Sequence, residues 1–319
     1  MIGQLKDRTT VDFQMLVMSL AEQSINWEVL EMGIAIVTDS NCDLPIEYIS
    51  KNNVHVIPFT FVLNGINYTD DFGKSLSYKE FYDGIRNGSM PTTAQITAYT
   101  FENEFRSFVS KGDSVIYIGF SSALSETFNG SVLARNKIME ADPEADITVI
   151  DSKSASVGQG LLVYYACEML NQGKSKQEIV DWIESNKLKV NHWFTIDNLE
   201  HLKRGGRISA TSAAIGGLLE VKPVLNVSND GSLNVVKKIR GRKKSIRTLF
   251  EEFKTRAIKP EEQMIYIAHG DCIEDAEYLK SLILSETTPK DIVINSLGPI
   301  IGTHTGPGMV GVFFLGKER

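Results

Sequence analysis

Ile34-Ala35-Ile36-Val37-Thr38-Asp39-Ser40 is the stretch on which the fold turns. Four apolar residues in succession are too few for a helix and lack the alternation of a half-exposed strand. That pattern predicts a strand buried on both faces of a parallel sheet. The run ends in hydroxyls and a carboxylate. Val54-His55-Val56-Ile57-Pro58-Phe59, Val115-Ile116-Tyr117-Ile118 and Ile147-Thr148-Val149-Ile150 read as three more strands, with helical patterns between the later ones. Ser121-Ser122 and Asp151-Ser152 close two of these runs. In an open α/β sheet the ligand crevice lies beyond the carboxyl ends of the strands, so these polar ends are expected along one rim.

Beyond Gly158-Gln159-Gly160 the pattern predicts two helices, Leu161 to Leu170 and Lys176 to Glu184. From about Val190 the strands become longer and more alternating: Trp193 to Ile196, Lys222 to Val227, Leu233 to Ile239, Met264 to Ala268, Ile292 to Leu297 and Met309 to Leu315. Asn229-Asp230-Gly231-Ser232 is a hairpin turn, because Asp-Gly supplies the positive φ such turns need. The expected fold class is α/β in two domains: a parallel-sheet α/β/α domain over residues 33–186 and a mixed-sheet α/β domain over 187–319. Residues 1–32, with Phe13, Leu16, Val17, Leu20 and Ala21 at helical spacing, read as an N-terminal extension. Either they form an extra helix or the native product starts at Met32.

Length and composition agree with this division. The chain has 319 residues, 42% hydrophobic and 23% charged, which is enough for two cores and excludes a disordered chain. Forty acids against 33 Lys and Arg leave a net charge of −7, which argues against a dedicated nucleic-acid binder. No apolar run is long enough to span a bilayer. Cys42, Cys167 and Cys272 form no CxxC pair, so no metal cluster is expected, and together with the lack of a signal-peptide core they point to the cytoplasm.

The common phosphate, nucleophile and zinc motifs are absent. What remains is a set of small hydroxylic loops. Thr92-Thr93 precedes a helical pattern and is either an N-cap or a donor to an acidic ligand group. Ser121-Ser122-Ala123-Leu124-Ser125 is either a helix start or an anion site built from hydroxyls and N–H groups. Arg204-Gly205-Gly206-Arg207 is a sharp turn that is either solvated or presents arginines to a carboxylate or phosphate. Gly298 to Gly308 holds four glycines and two prolines in eleven residues and is expected to be a loop of fixed path around His304. His304 reads as functional on that ground, whereas His55, His192, His201 and His269 read as structural. Finally, Lys237, Lys238, Arg240, Arg242, Lys243, Lys244 and Arg247 put seven positive charges into eleven residues, either a solvated face or a docking patch for an acidic partner.

Taken in order, these loops resemble the DegV family of fatty-acid-binding proteins, called FakB where a kinase partnership is known. The matching stretches are Ile36 to Ser40 with Asp43-Leu44-Pro45, Thr92-Thr93-x-Gln95, Ser121-Ser122-x-Leu124-Ser125-x-Thr127, Asp151-Ser152 to Gly160, Arg204 to Ser209, and Ile301 to Gly308. They span residues 33 to 315. Ala94 and Ile96 stand where the family usually has Ser and Pro, and Glu126 and Phe128 where Gly and Tyr are common.

The resemblance implies one long-chain fatty acid in an apolar tunnel, with its carboxylate at the domain junction. Carried onto this chain, Thr93, Ser121, Ser122 and His304 would bind the carboxylate, supported by Thr92, Gly302, Thr303 and Gly306. Phe59, Phe61, Ile215, Leu218 and Leu219 are candidate tunnel residues. Arg207, Arg240 and Arg242 would meet a separate fatty acid kinase. The chain itself would be a carrier and not an enzyme, with no cofactor or metal, yielding an acyl phosphate only with its partner. Neutral donors can satisfy a buried carboxylate without a salt bridge. Two rivals are an enzyme of the dihydroxyacetone-kinase-like fold using Ser122 and His304, and a regulator that binds nucleic acid through the basic stretch.

Overall fold

The computed structural model describes residues 33–208 and 220–319. Its first strand, β1 (Ile34–Asp39), is followed by β2 (His55–Ile57), β3 (Thr60–Leu63), β4 (Ile66–Thr69), β5 (Thr92–Ala94), β6 (Ser114–Gly119) and β7 (Ile147–Asp151). Strands β2-β1-β6-β7, in that order, form an all-parallel sheet. Adjacent residues on its strands serve opposite cores, as the two-residue period of a strand requires. Val37 and Tyr117 pack with Phe101 and Phe105 of the Ala98–Val109 helix, while Ile36 and Ile116 pack with Leu161 of the Val157–Asn171 helix. The result is the α/β/α layering expected from the continuous apolar runs.

A second, antiparallel sheet of order β4-β3-β5 lies outside those expectations. Its hairpin turns at Asn64-Gly65, both at positive φ, which is the Asn-Gly signal of a type I′ turn. Thr92-Thr93 therefore caps no helix. It lies in β5, where Thr93 pairs with Phe61, and the helix that follows is capped by Thr97.

The remaining strands are β8 (Val190–Thr195), β9 (Val221–Val227), β10 (Leu233–Arg240), β11 (Met264–His269), β12 (Asp291–Ser296) and β13 (Val310–Leu315). They form a mixed sheet of order β10-β9-β8-β13-β11-β12 in which only β11 and β12 run parallel. One face, with Trp193, Val224, Ile267 and Phe314, is covered by the Arg242–Arg256 and Ile273–Glu286 helices. The other face, with Phe194, Leu225 and Phe313, shares a core with Leu161, Leu162 and Ile116. The Val157–Asn171 helix, buried along most of its first three turns, is thus the layer common to both sheets.

The glycine-rich stretch from Gly298 to Gly308 is not a loop throughout. Pro299–Thr305 is a short helix with proline in its first turn and Gly306 ending it at φ 72°. Proline fits there because the first helical N–H has no acceptor, and glycine fits beyond the end because it takes a positive φ without strain. His304 is carried by this helix. Among the described residues, no helix is long and apolar enough to cross a membrane.

Candidate functional site

Between the two larger sheets lies a cavity walled mainly by apolar side chains. Phe59, Phe120 and Leu124 line it from the parallel-sheet side, and Phe194, Val227, Leu233 and Phe313 from the mixed sheet. Of the expected tunnel residues, Phe59 lines it, Phe61 packs instead in the core beside Phe81, and Ile215, Leu218 and Leu219 lie outside the described residues.

Thr93, Arg207 and His304 line this cavity and also an outer hollow with Met90, Thr92, Arg204, Gly205 and Thr303. These three shared residues mark where the interior opens outward. His304 Nε2 is 3.0 Å from Thr93 Oγ1, which joins the Pro299–Thr305 helix to β5. Its Nδ1 is buried without a hydrogen-bond partner and faces Gly205. A Cβ on Gly205 would stand 2.2 Å from that nitrogen, so only glycine lets the turn close over the ring. Burial, and then the charges of Arg207 and Arg204, push the His304 pKa down to about 4, leaving the imidazole neutral near pH 7.

The helix bearing His304 is held from several sides. Asp43, buried just beyond β1, accepts from the Gly298 N–H at 2.8 Å and from the Ser156 hydroxyl at 2.6 Å. Its backbone carbonyl accepts from Asn295 Nδ2 at 2.6 Å. Burial raises the Asp43 pKa to about 8. Gly302 packs so closely on Tyr82 and Phe81 that a Cβ there would fall 2.6 Å from the Tyr82 hydroxyl, and Gly306 packs on His201. Thr303 and Thr305 donate to Pro299 and Ile301 carbonyls of their own helix. The expected supporting residues Gly302, Thr303 and Gly306 therefore brace the helix, while Thr92 lines the outer hollow.

The two serines are placed differently. Ser121 is fully buried and donates to the Gly231 carbonyl at 2.9 Å, fastening the serine turn to the hairpin between β9 and β10. Ser122 accepts from Lys153 Nζ at 2.8 Å, and its N–H donates to Asp151. Neither is among the cavity-lining residues; Leu124 and Ser125 of the same turn are. Ser122 meets Lys153 and His304 meets Thr93, and no hydrogen bond joins Ser122 to His304.

The arginines also separate. Arg207 is half-buried at the opening and donates to the Leu124 carbonyl from Nε at 3.0 Å and to the Gly205 carbonyl from Nη1. The opening thus holds a cation beside the neutral donors expected there. Arg240 is 80% exposed and 3.4 Å from Glu220. Arg242 is turned into the structure, where it pairs with Asp275 at 2.7 Å and donates to the Gly308 carbonyl at 2.6 Å. Lys238, Lys243, Lys244 and Arg247 are exposed.

Sequence reasoning missed two cavity residues. His192, read as structural, lines the cavity with both ring nitrogens unpartnered, and Asn41 lines it with both carboxamide atoms unpartnered. Asn41 sits directly after Thr38-Asp39-Ser40, at the strand end where polar residues were expected to gather. Among the described residues, no group of three or more His, Cys, Asp or Glu is placed to hold a metal ion.

The parallel sheet, the mixed sheet and the apolar cavity between them define a two-domain α/β class. The family model described as "Uncharacterised protein, DegV family" matches residues 33–317, and the chain belongs to that family. It is 47% identical to the DegV domain-containing protein CPE0026 of Clostridium perfringens over 284 residues, covering 89% of this chain and 98% of that protein. Two solved structures are similar at 30% identity. A DegV family protein from Thermus thermophilus, described by its fatty acid binding, has a TM-score of 0.81 over 89% of this chain and 100% of that one. DegV of Bacillus subtilis, described as a fatty acid binding protein, has a TM-score of 0.77 over 90% of this chain and 100% of that one.

Proposed function

We propose that this protein holds one long-chain fatty acid in the cavity, with the carboxylate at Thr93 and His304, and presents it to a separate ATP-dependent fatty acid kinase. The observation that carries this reading is the meeting of an apolar chamber with a half-buried hydroxyl–imidazole pair at the chamber's opening. Burying an alkyl chain contributes roughly 0.8 kcal/mol per CH₂, so the tail dominates affinity and the opening fixes orientation. With the His304 proton on Nε2, the ring donates to Thr93 Oγ1 and the Thr93 O–H is free to donate to the ligand. That tautomer also leaves Nδ1, beside Gly205, as a bare acceptor, which costs less than a stranded donor. Arg207 adds a positive charge where the headgroup meets the outer hollow.

The relatives described as fatty acid binding support the ligand class. The kinase step rests on the family resemblance, on the outward-facing opening and on the exposed cations Lys238, Arg240, Lys243, Lys244 and Arg247, which suit an acidic partner surface. In this reading the chain supplies binding and orientation, acts in the cytoplasm and performs no catalysis alone.

Native mass spectrometry of the purified protein, before and after organic extraction, tests the ligand. The expected result is a long-chain acid at one per protein that can be restored after removal. Protein that is empty and takes up no such acid overturns the reading. Incubating the loaded protein with a fatty acid kinase and ATP tests the second half, with acyl phosphate as the expected product.

A further inference from the structure

The wall of the cavity carries a polar feature that a plain alkyl chain does not explain. Asn41 is 1% exposed, and neither its Nδ2 nor its Oδ1 has a hydrogen-bond partner. It lines the inner cavity but, unlike Thr93, Arg207 and His304, not the outer hollow. His192 lines the same cavity, is equally buried at 1%, and has both ring nitrogens unpartnered, with Nε2 lying against Gly158. The other polar side chains that line the cavity and not the hollow have committed their hydroxyl protons, Ser156 to Asp43, Ser125 to Thr127 and Thr305 to the Ile301 carbonyl. Gln159 and Asn226 also have unpartnered oxygens, but neither lines the cavity.

Buried polar atoms are nearly always paired, and a carboxamide left with a free donor and a free acceptor is costly to bury. An alkyl chain beside Asn41 would satisfy neither atom. A hydroxyl answers both, since its O–H donates to Oδ1 while its oxygen accepts from Nδ2. A ketone or a double bond does not, because a ketone only accepts and an alkene does neither.

We infer that Asn41 forms a second polar subsite, selecting acyl chains that carry a hydroxyl along their length over the unsubstituted chain. This inference rests on the fatty-acid reading of the cavity. It places specificity in the tail, separate from recognition of the carboxylate. His192, neutral because burial holds its pKa well below the usual value, is another cavity-lining residue with unpartnered polar atoms.

The test is competition binding to delipidated protein with octadecanoic acid against a positional series of hydroxyoctadecanoic acids. At least one isomer is expected to bind about tenfold more tightly than octadecanoic acid, the scale of one well-placed buried hydrogen bond. Asn41→Leu, of similar size and without polar atoms, is expected to reverse that preference while still binding octadecanoic acid. If octadecanoic acid outcompetes every isomer on the unmodified protein, the inference fails whether or not the variant folds. An unchanged ratio in Asn41→Leu removes Asn41 from the role. If no acid of either kind binds, the fatty-acid reading falls and this inference with it, an outcome distinct from preference for the plain chain.

Discussion

The Thr93–His304 pair and the Ser121–Ser122 turn show what separates a polar site from a polar sequence. Both are hydroxyl-rich, both follow or lie in strands, and both flank the same cavity. In the first, the hydroxyl meets a neutral imidazole at the opening, and its neighbours are a cavity on one side and a hollow on the other. In the second, Ser121 spends its proton on the Gly231 carbonyl, while Ser122 accepts from the Lys153 ammonium and keeps its own O–H, and neither serine lines the cavity. A donor spent on the protein's own backbone stabilises the fold and has little left for a ligand. Availability, more than residue type, decides which region can grip a headgroup.

The largest expected effect comes from disturbing the first region without removing any of its polar groups. Gly205→Ala adds one methyl group 2.2 Å from His304 Nδ1, so either the ring or the turn must shift. Fatty-acid affinity should fall on the order of a hundredfold, because overpacking and the loss of the Thr93 contact act together. Retention of octadecanoic acid at the original affinity, measured by isothermal titration, would show that the ring's position is irrelevant. Next in size is Thr93→Val, which keeps the shape and removes the hydroxyl. It should weaken binding by about 1–3 kcal/mol, the cost of leaving a buried acceptor short of a donor. Binding unchanged by this substitution would end the assignment of Thr93 to the carboxylate.

How much of this contrast was legible beforehand differs element by element. The parallel strands were readable because Ile34 to Val37 and Val115 to Ile118 are apolar on both faces, a pattern with few alternatives at that length. The β9–β10 hairpin was readable from Asp230-Gly231. The β3–β4–β5 sheet was missed although Asn64-Gly65 carries the same kind of signal, because β5 is only three residues long and takes its conformation from pairing with Phe61. That pairing, set by contacts distant in sequence, removes the helix-cap alternative for Thr93 and sets it at the cavity wall. His304 was singled out because a glycine-bounded loop of fixed path was expected around it, yet those glycines serve packing against Tyr82 and His201 more than loop geometry. Asn41 offered no signal at all in one dimension. A buried asparagine next to a strand end ordinarily pairs locally, and only the three-dimensional cavity shows that this one does not.

A smaller and separable effect concerns protonation at the opening. Burial and the adjacent arginines bring the His304 pKa to about 4, below its ordinary value near 6.5. The unfolded chain therefore binds a proton at this residue between those pH values that the folded protein does not. His304 thus contributes stability that is present above pH 6.5 and is lost as pH falls toward 4. In proton-detected NMR the His304 ring should titrate near pH 4 and stay neutral from pH 6 to 8. A midpoint near 6.5 would mean that the ring is solvated and that the opening is not the dry, neutral site described.

The smallest effect on the ligand should come from the serine turn, and that smallness is the sharpest check on the contrast. Ser121→Ala removes a buried donor to the Gly231 carbonyl, so it should lower folding stability by about 1–3 kcal/mol in urea denaturation. Its fatty-acid affinity, measured where the variant is fully folded, should stay within about twofold of the parent, since no ligand hydrogen bond is lost and the shift is well under 1.4 kcal/mol. Ser122→Ala should change even less, because Lys153 retains its 2.8 Å contact with Asp151. Should either serine substitution weaken binding as much as Thr93→Val, its hydroxyl must reach the ligand, Ser121 by leaving the Gly231 carbonyl and Ser122 by turning its free O–H toward the acid. The two regions would then form one headgroup site that closes on the acid, and the distinction between spent and available donors would hold only for the empty protein.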